Sequence, residues 1–369
     1  MAPARAVSSL KRRTSKLAGE LLSAGLQGAI IAPGPNLTYY TGVRAHLFER
    51  PFLFLLQSDG EAHLLAPKLE VGPFRGSIPL ALHVWDDTEG PSGAFRDLLR
   101  GISSKGVWGC EGRVPFGFLD HLLRAGLKVQ PADDVLQSMR EVKEPEELEL
   151  LRRSADILSA SIIKVPDVLR EGMTERELAH FIFQDAIAGG VDEVDPMVQS
   201  GARAADPHSE TSTKRIGRGE SVVVDVVSSS AGYAADITRT FVIGESSEVE
   251  NVYRSVLSAQ EKAVDAGKAG ASTGRVDARA RDSLEEDGLA EYFIHRTGHG
   301  LGLEVHEAPY IVAGGRERLR PGMVFTVEPG VYIPGKLGVR IEDDVSISKT
   351  GRAEVTTVKV PKEYGWWRK

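Results

Sequence analysis

The segment SVVVDVVSSS (221–230) sets one acid, Asp225, among five valines. A β-branched run of this kind suits a strand covered on both faces. A carboxylate there is costly unless an arginine, backbone donors or a metal ion pairs with it. Asp225 has company. Asp236 follows eleven residues later in YAADITRTFVIG, beyond the turn signalled by SSSAGY, so a hairpin would bring the two acids together. Glu328 lies in MVFTVEPGVYI, and Glu342 lies in GVRIEDDVSIS beside Ile341 and close to Arg340. Between these pairs, HRTGHGLGLEVHEAPY carries His295, His299 and His306 among glycines.

An arginine can neutralise one buried acid, but four in one sheet would repel and raise one another's pKa values. Two divalent cations would neutralise all four, and oxygen-rich, thiol-free ligation suits manganese, cobalt, iron or zinc. Metals about 3.5–4 Å apart can share a bridging water, lower its pKa and polarise a carbonyl. Glycines around His299 would let backbone approach such a site closely. Each feature has a plainer reading. A lone strand acid most often partners an arginine or sits at a rim. HRTGH lacks the zincin pattern HExxH, since Arg296 and Thr297 fill its interior. His208, in DPHSETS, reads equally well as a loop histidine. The joint pattern carries the argument.

The elements around these residues form two groups. The chain has 369 residues, 41% hydrophobic and 26% charged, which is long enough for two or more domains. Its net charge of −7 argues against a nucleic-acid or anionic-membrane surface. Lys11, Arg12 and Arg13 form a basic cluster, but no signal-peptide core follows it. No apolar run approaches the roughly 20 residues that span a bilayer. The single cysteine, Cys110, excludes an internal disulfide framework and a multi-cysteine zinc site. These features predict a soluble, cytoplasmic, two-domain protein.

In the first third, an opening helix ended by Gly25 precedes strands at 28–33, 51–57, 61–67 and 81–85, an α/β pattern without GxGxxG or a P-loop. Composition changes near residue 140, and Pro145 is well placed in the first turn of a long helix. Thr174 and Glu177 have capping-box spacing. Two further helices and a mainly antiparallel sheet make the second part α+β. The expected domains are 1–135 and 136–369.

The order and spacing of Asp225, Asp236, His299, Glu328 and Glu342 resemble the five metal ligands of the pita-bread metallopeptidases. The local sequences resemble the proline-specific branch, which includes prolidase and aminopeptidase P. VQSGARAADPH is similar to that branch's SGxNxAxPH, SAGYAADITRTF to GYxSDxTRTF, and HRTGHGLGLEVHE to HxxGHGxGLxVHE. PGMVFTVEPGVYI and GVRIEDDV complete the set from about residue 139 to the end. The first domain resembles a creatinase-type amino-terminal domain in pattern and in NLTYYTG (36–42).

The resemblance implies that Asp225 binds one metal, that Asp236 and Glu342 bridge both, and that His299 and Glu328 complete the shell of the second metal. It implies that His306 contacts the scissile peptide and that His208 and His295 line the proline side of the pocket. Glu328 would accept the proton of a metal-bridged water, and Arg340 would hold a ligand carboxylate in place. The cofactors implied are two divalent ions per chain, manganese first, with cobalt or zinc as alternatives. The activity implied is Xaa-Pro dipeptide hydrolysis, with aminopeptidase P action on longer peptides as the alternative. A dipeptidase must recognise the carboxylate after proline; Arg44 and His46 are candidates if a partner subunit caps the cleft, in the homodimer the resemblance implies. Two departures concern the pocket's shape: Val227 stands where the family usually has glycine, and Ser209 where relatives often carry a second histidine. Creatinase lacks the full ligand set present here, and the non-enzymatic relatives of this fold have typically lost ligands.

Overall fold

A computed structural model describes the chain apart from Met1, Gly76, Ser77, His208, Val358, Lys369 and the side chains of residues 2–7. It divides into two compact units, Met1–Arg140 and Glu141–Lys369. The boundary falls five residues later than the expected 135/136. The reason is packing: Tyr40 and Tyr39 donate their hydroxyls to the carbonyls of Leu136 and Met139, which ties the last helix of the first unit to its core.

The first unit runs α1 (Ala2–Ser23), β1 (Gly28–Ile31), α2 (Pro35–Thr41), β2 (Leu53–Gln57), β3 (Ala62–Pro67), β4 (Ala81–Trp85), α3 (Ser92–Gly101), β5 (Val107–Cys110), α4 (Phe116–Arg124), β6 (Lys128–Pro131) and α5 (Asp133–Glu141), whose last residue opens the second unit. Its sheet order is β4-β3-β2-β1-β5-β6. The β1–β2 and β2–β3 pairs are antiparallel, and the other three are parallel. β1, β2 and β3 are buried along their whole length, as their near-continuous apolar sequences require. The four expected strands match β1 to β4 to within two residues, whereas β5 and β6 are not among those expected.

The second unit opens with α6 (Pro145–Ile162), α7 (Val165–Val168) and α8 (Glu175–Gly189). Pro145 occupies the first turn of α6, and Thr174 and Glu177 exchange both bonds of a capping box at α8. β7 (Glu193–Ser200), β8 (Ser221–Ser230) and β9 (Tyr233–Val242) form an antiparallel three-stranded sheet. Helices α9 (Ser247–Ala266) and α10 (Thr273–Glu286) follow, capped by Ser246 and Ser272. Then come β10 (Gly298–Gly300), β11 (Glu307–Ile311), β12 (Val324–Val327), β13 (Gly330–Ile333), β14 (Leu337–Arg340), β15 (Asp343–Ile347) and β16 (Ala353–Val355). They make a five-stranded sheet of order β11-β10-β12-β15-β16 and a separate β13–β14 hairpin.

Two strand-like segments of the sequence are each divided between sheets. MVFTVEPGVYI becomes β12 and β13, with Glu328 and Pro329 in the break; GVRIEDDVSIS becomes β14 and β15, with Ile341 and Glu342 in the break. Both acids therefore stand where the chain leaves one sheet for another. Among the described residues no helix is long and apolar enough to cross a membrane.

Candidate metal centre

The β8–β9 hairpin turns through Ala231 (φ 50°) and Gly232 (φ 85°), two positive-φ positions that match the strands' right-handed twist. Its register sets Asp225 opposite Thr238 and Val227 opposite Asp236. Side chains alternate, so Val222, Val224, Val226, Ala235, Ile237 and Phe241 enter the core, while Asp225, Asp236 and Thr238 share the other face. A slip of one residue would bury both acids among the helices. That cost pins the register.

His299 lies on β10 between glycines that admit no side chain. A Cβ on Gly298 would stand 1.9 Å from the Thr326 carbonyl oxygen, and one on Gly300 would stand 2.2 Å from that of Ala308. The glycines let β10 fit between β11 and β12. Ligand atoms of Asp236, His299 and Glu342 all lie within 4.8 Å of one another, and all three residues are buried. Glu328 reaches His299 Nε2 at 3.2 Å, and its N–H donates to the Thr297 carbonyl at 2.8 Å.

Asp225 lies beside Arg340, whose Nη2 donates to its Oδ2 at 2.5 Å. Arg340 also donates to Thr238 Oγ1 (3.2 Å) and to the Tyr332 hydroxyl (2.8 Å). Thr238 passes its single hydroxyl proton to Glu342 Oε2 at 2.6 Å. One arginine thus ties together the residues holding two of the acids.

Electrostatics separate the acids. Burial, then the charges of Glu342, Asp225, Asp344 and Glu328, hold Asp236 well above the ordinary carboxylate range. Burial, with Glu328 and Asp225, does the same to Glu342. Burial also opposes ionisation of Glu328, but the hydrogen bond from His299 and the charges of that ring and Arg340 outweigh it, pulling the group down to about 2. Asp236 Oδ1, Glu342 Oε1 and Asp344 Oδ1 are buried without a hydrogen-bond partner. Orphaned carboxylate oxygens inside a cluster of like charges are costly as they stand. They are the donor set a hard or borderline divalent cation requires, so the residues fit a metal.

Two further histidines flank the cluster. The His306 ring centroid is 4.2 Å from that of His299. Partial burial, the His299 ring and Arg296 push its pKa down to about 4, which leaves it neutral at pH 7. His295 Nδ1 faces the Arg296 carbonyl (2.7 Å), which can only accept, so Nδ1 carries the proton. Nε2 then accepts from the Tyr332 hydroxyl at 2.8 Å. Burial lowers this ring's pKa and reinforces the neutral form. Arg281, paired with Asp277, donates to the carbonyls of Phe293 and His295 and fixes the segment.

Tyr332 carries no mark in the sequence; only folding joins Asp225, Arg340, Tyr332 and His295 in one chain of bonds. Tyr332→Phe is expected to leave His295 Nε2 unpaired in a buried place and to lower stability by about 1–3 kcal/mol. Calorimetry reads the loss; an unchanged melting profile would remove Tyr332 from this role. His208 lies outside the described residues. Arg44 and His46 belong to the first unit and the metal cluster to the second.

More than half of the chain, residues 149–349, matches the model for metallopeptidase family M24, and residues 13–142 match the creatinase/prolidase N-terminal domain. The chain belongs to metallopeptidase family M24, and its second unit has the pita-bread fold. A probable dipeptidase PepE from Mycobacterium tuberculosis is 40% identical over 353 residues, 93% of each chain. A Xaa-Pro dipeptidase from Pyrococcus horikoshii is 35% identical over 340 residues, 90% of this chain and 93% of that one. The crystal structure of a prolidase from Thermococcus sibiricus matches with a TM-score of 0.88 and 36% identity, covering 96% of this chain and 98% of the other.

Proposed function

We propose that this protein hydrolyses the peptide bond before proline in Xaa-Pro dipeptides, using two divalent ions, manganese first among them. The observation that supports this most strongly is the convergence of Asp236, His299 and Glu342 around orphaned carboxylate oxygens, in a chain whose relatives include dipeptidases. Asp236 and Glu342 would each offer two oxygens, His299 its Nε2, Glu328 a carboxylate, and Asp225 the oxygen that Arg340 leaves free. A metal pair held there supplies Lewis acidity, acidifying a water and polarising the scissile carbonyl.

The chain's own groups do the rest. Glu328 takes the proton of the attacking water. His306, neutral at pH 7, donates to the oxygen that gains charge at the scissile carbonyl. His295, held in one tautomer by Tyr332, forms a fixed wall for the proline side, with His208 assigned to the same side. The X–Pro bond has no N–H, so the site must hold the substrate by its ends and its carbonyl.

A dipeptide ends in a carboxylate, for which an arginine is the natural partner. Within the second unit, Arg296 stacks 4.8 Å over the Tyr310 ring, and its charge reaches His306. We assign Arg296 to the substrate carboxylate beside the sequence-based candidate Arg44. Arg296→Ala is expected to raise the Michaelis constant for a Xaa-Pro dipeptide by about 10–100-fold, the worth of a charge-assisted bond, and to leave that for a tripeptide nearly unchanged. Equal effects on both would point away from carboxylate recognition.

Chelation followed by manganese replacement tests the whole reading. Cleavage of a dipeptide ending in proline, without cleavage of a tripeptide carrying proline second, supports the dipeptidase. Efficient cleavage of the tripeptide assigns aminopeptidase P activity instead. The proposed setting is a cytoplasmic homodimer, and light scattering of the purified protein reads the oligomer.

A further inference from the structure

The hairpin between His299 and His306 is built around a buried ion pair whose purpose the chemistry above leaves open. Lys143 stands on the segment with which the second unit begins, and its Nζ donates to Glu307 Oε1 at 2.8 Å, with side-chain exposures of 1% and 3%. Lys143 is anchored from its own side as well. Its Nζ donates to the Glu141 carbonyl at 3.3 Å, and its N–H donates to the Gly322 carbonyl at 2.9 Å.

The loop from Leu301 to His306 is wound about the Glu307 carboxylate. Oε2 accepts the Glu304 N–H at 3.4 Å, and Gly302 donates its N–H to the Glu304 carbonyl at 3.0 Å. A Cβ on Gly302 would stand 2.4 Å from Glu307 Oε1, so a side chain there would have to push the carboxylate from its place. Outside this polar centre, Leu303 and Val305 pack on a small apolar cluster with Leu151, Tyr233 and Val324.

A buried ion pair seldom adds net stability over an apolar pair of the same volume, but it admits few geometries. Here the geometry has a beneficiary. His306 immediately precedes Glu307, the first residue of β11, so a fixed Glu307 fixes the backbone that carries the His306 ring. Holding Glu307 on Lys143 therefore fixes the direction in which the His306 ring leaves the backbone toward His299.

We propose that the Lys143–Glu307 pair is a positioning device that sets His306 for the developing oxyanion. The inference rests on the reading of His306 given above. It assigns a kinetic role to the start of the second unit, which touches none of the reacting groups.

The test compares Glu307→Gln and Lys143→Met with the full-length protein, alone and combined with His306→Ala. Manganese affinity of the metal-free protein is measured for each by titration calorimetry. Each single substitution is expected to lower kcat on a Xaa-Pro dipeptide by between about tenfold and a hundredfold, as small misplacements of a reacting group do. Manganese affinity should stay unchanged. In the His306→Ala background the same substitutions should have no further effect on kcat. Retained kcat in Glu307→Gln, or losses that multiply with that of His306→Ala, overturn the proposal. Glu307→Gln keeps the side chain's shape, so it carries the test if Lys143→Met does not fold. Were His306→Ala itself to keep full kcat, the reading of His306 would fall first and the positioning role with it.

Discussion

Asp236→Ala is expected to lose turnover by well over a hundredfold and, at the same time, to leave the metal-free protein more heat-stable than the parent. The two effects have one cause. Asp236 is buried, its Oδ1 has no partner, and Glu342, Asp225, Asp344 and Glu328 all disfavour its charge. Without a cation it is a burden, and removing it relieves repulsion. With a cation it is a carboxylate whose ligand atom lies within 4.8 Å of those of both His299 and Glu342, and even residues that merely support a ligand cost about 10–100-fold in metal affinity or activity when replaced. Asp236→Asn separates the loss of charge from the small cavity the alanine leaves. Each kcal/mol of relieved repulsion raises the melting temperature by roughly 2–4 °C in a domain of this size. A variant that bound manganese and turned over normally would sink the metal assignment.

The second large effect is on pH dependence. Asp236 and Glu342 have folded-state pKa values raised above their unfolded values of 3.8 and 4.5. As pH rises through the unfolded values, the unfolded chain releases protons that the folded metal-free protein retains. Stability is therefore fully present below those values and is lost as pH climbs toward the folded ones. Glu328 works the other way: lowered to about 2, its contribution is complete above pH 4.5 and fades only on acidification below that. Glu111 in the first unit, raised to about 7 by burial, adds a loss of the same sign as that of Asp236. A metal cannot relieve that loss.

Metal binding requires deprotonated ligands, so affinity should strengthen with pH and binding should release protons. The measurement is the melting temperature of metal-free and manganese-loaded protein between pH 4.5 and 7.5. The gap should widen steadily with pH, and Asp236→Asn should abolish most of the widening. Calorimetry in two buffers of different ionisation enthalpy counts the protons. A gap independent of pH would mean that these acids are not the ones a metal displaces protons from.

Much of this was written in residue order. The alternation along β8 and β9, the two-residue turn between them and the glycines beside His299 follow from local chemistry, because each acts on its neighbours in the chain. The capping box at Thr174 and the proline opening α6 are equally local. The attachment of α5 is not local: its carbonyls accept from Tyr39 and Tyr40, nearly a hundred residues earlier.

Burial of charge was visible in the same way: an acid among five valines announces a cost whatever the fold. Its resolution was not visible. Apolar patterning cannot show that MVFTVEPGVYI and GVRIEDDVSIS break in the middle, since each half alone is a satisfactory strand. The breaks arise because β12 and β15 pair in one sheet while β13 and β14 pair in another. Glu328 and Glu342 sit at those two crossings. Nor does any spacing reveal that Arg340 takes Asp225 at 2.5 Å while Tyr332 joins Arg340 to His295. These partners lie 115, 8 and 37 residues apart, and hydrogen bonds form by distance in space. Residue types and local periodicity are properties of the chain and told which chemistry was being prepared. Which acids lie together, and which of them meets Arg340, was decided by how the strands cross.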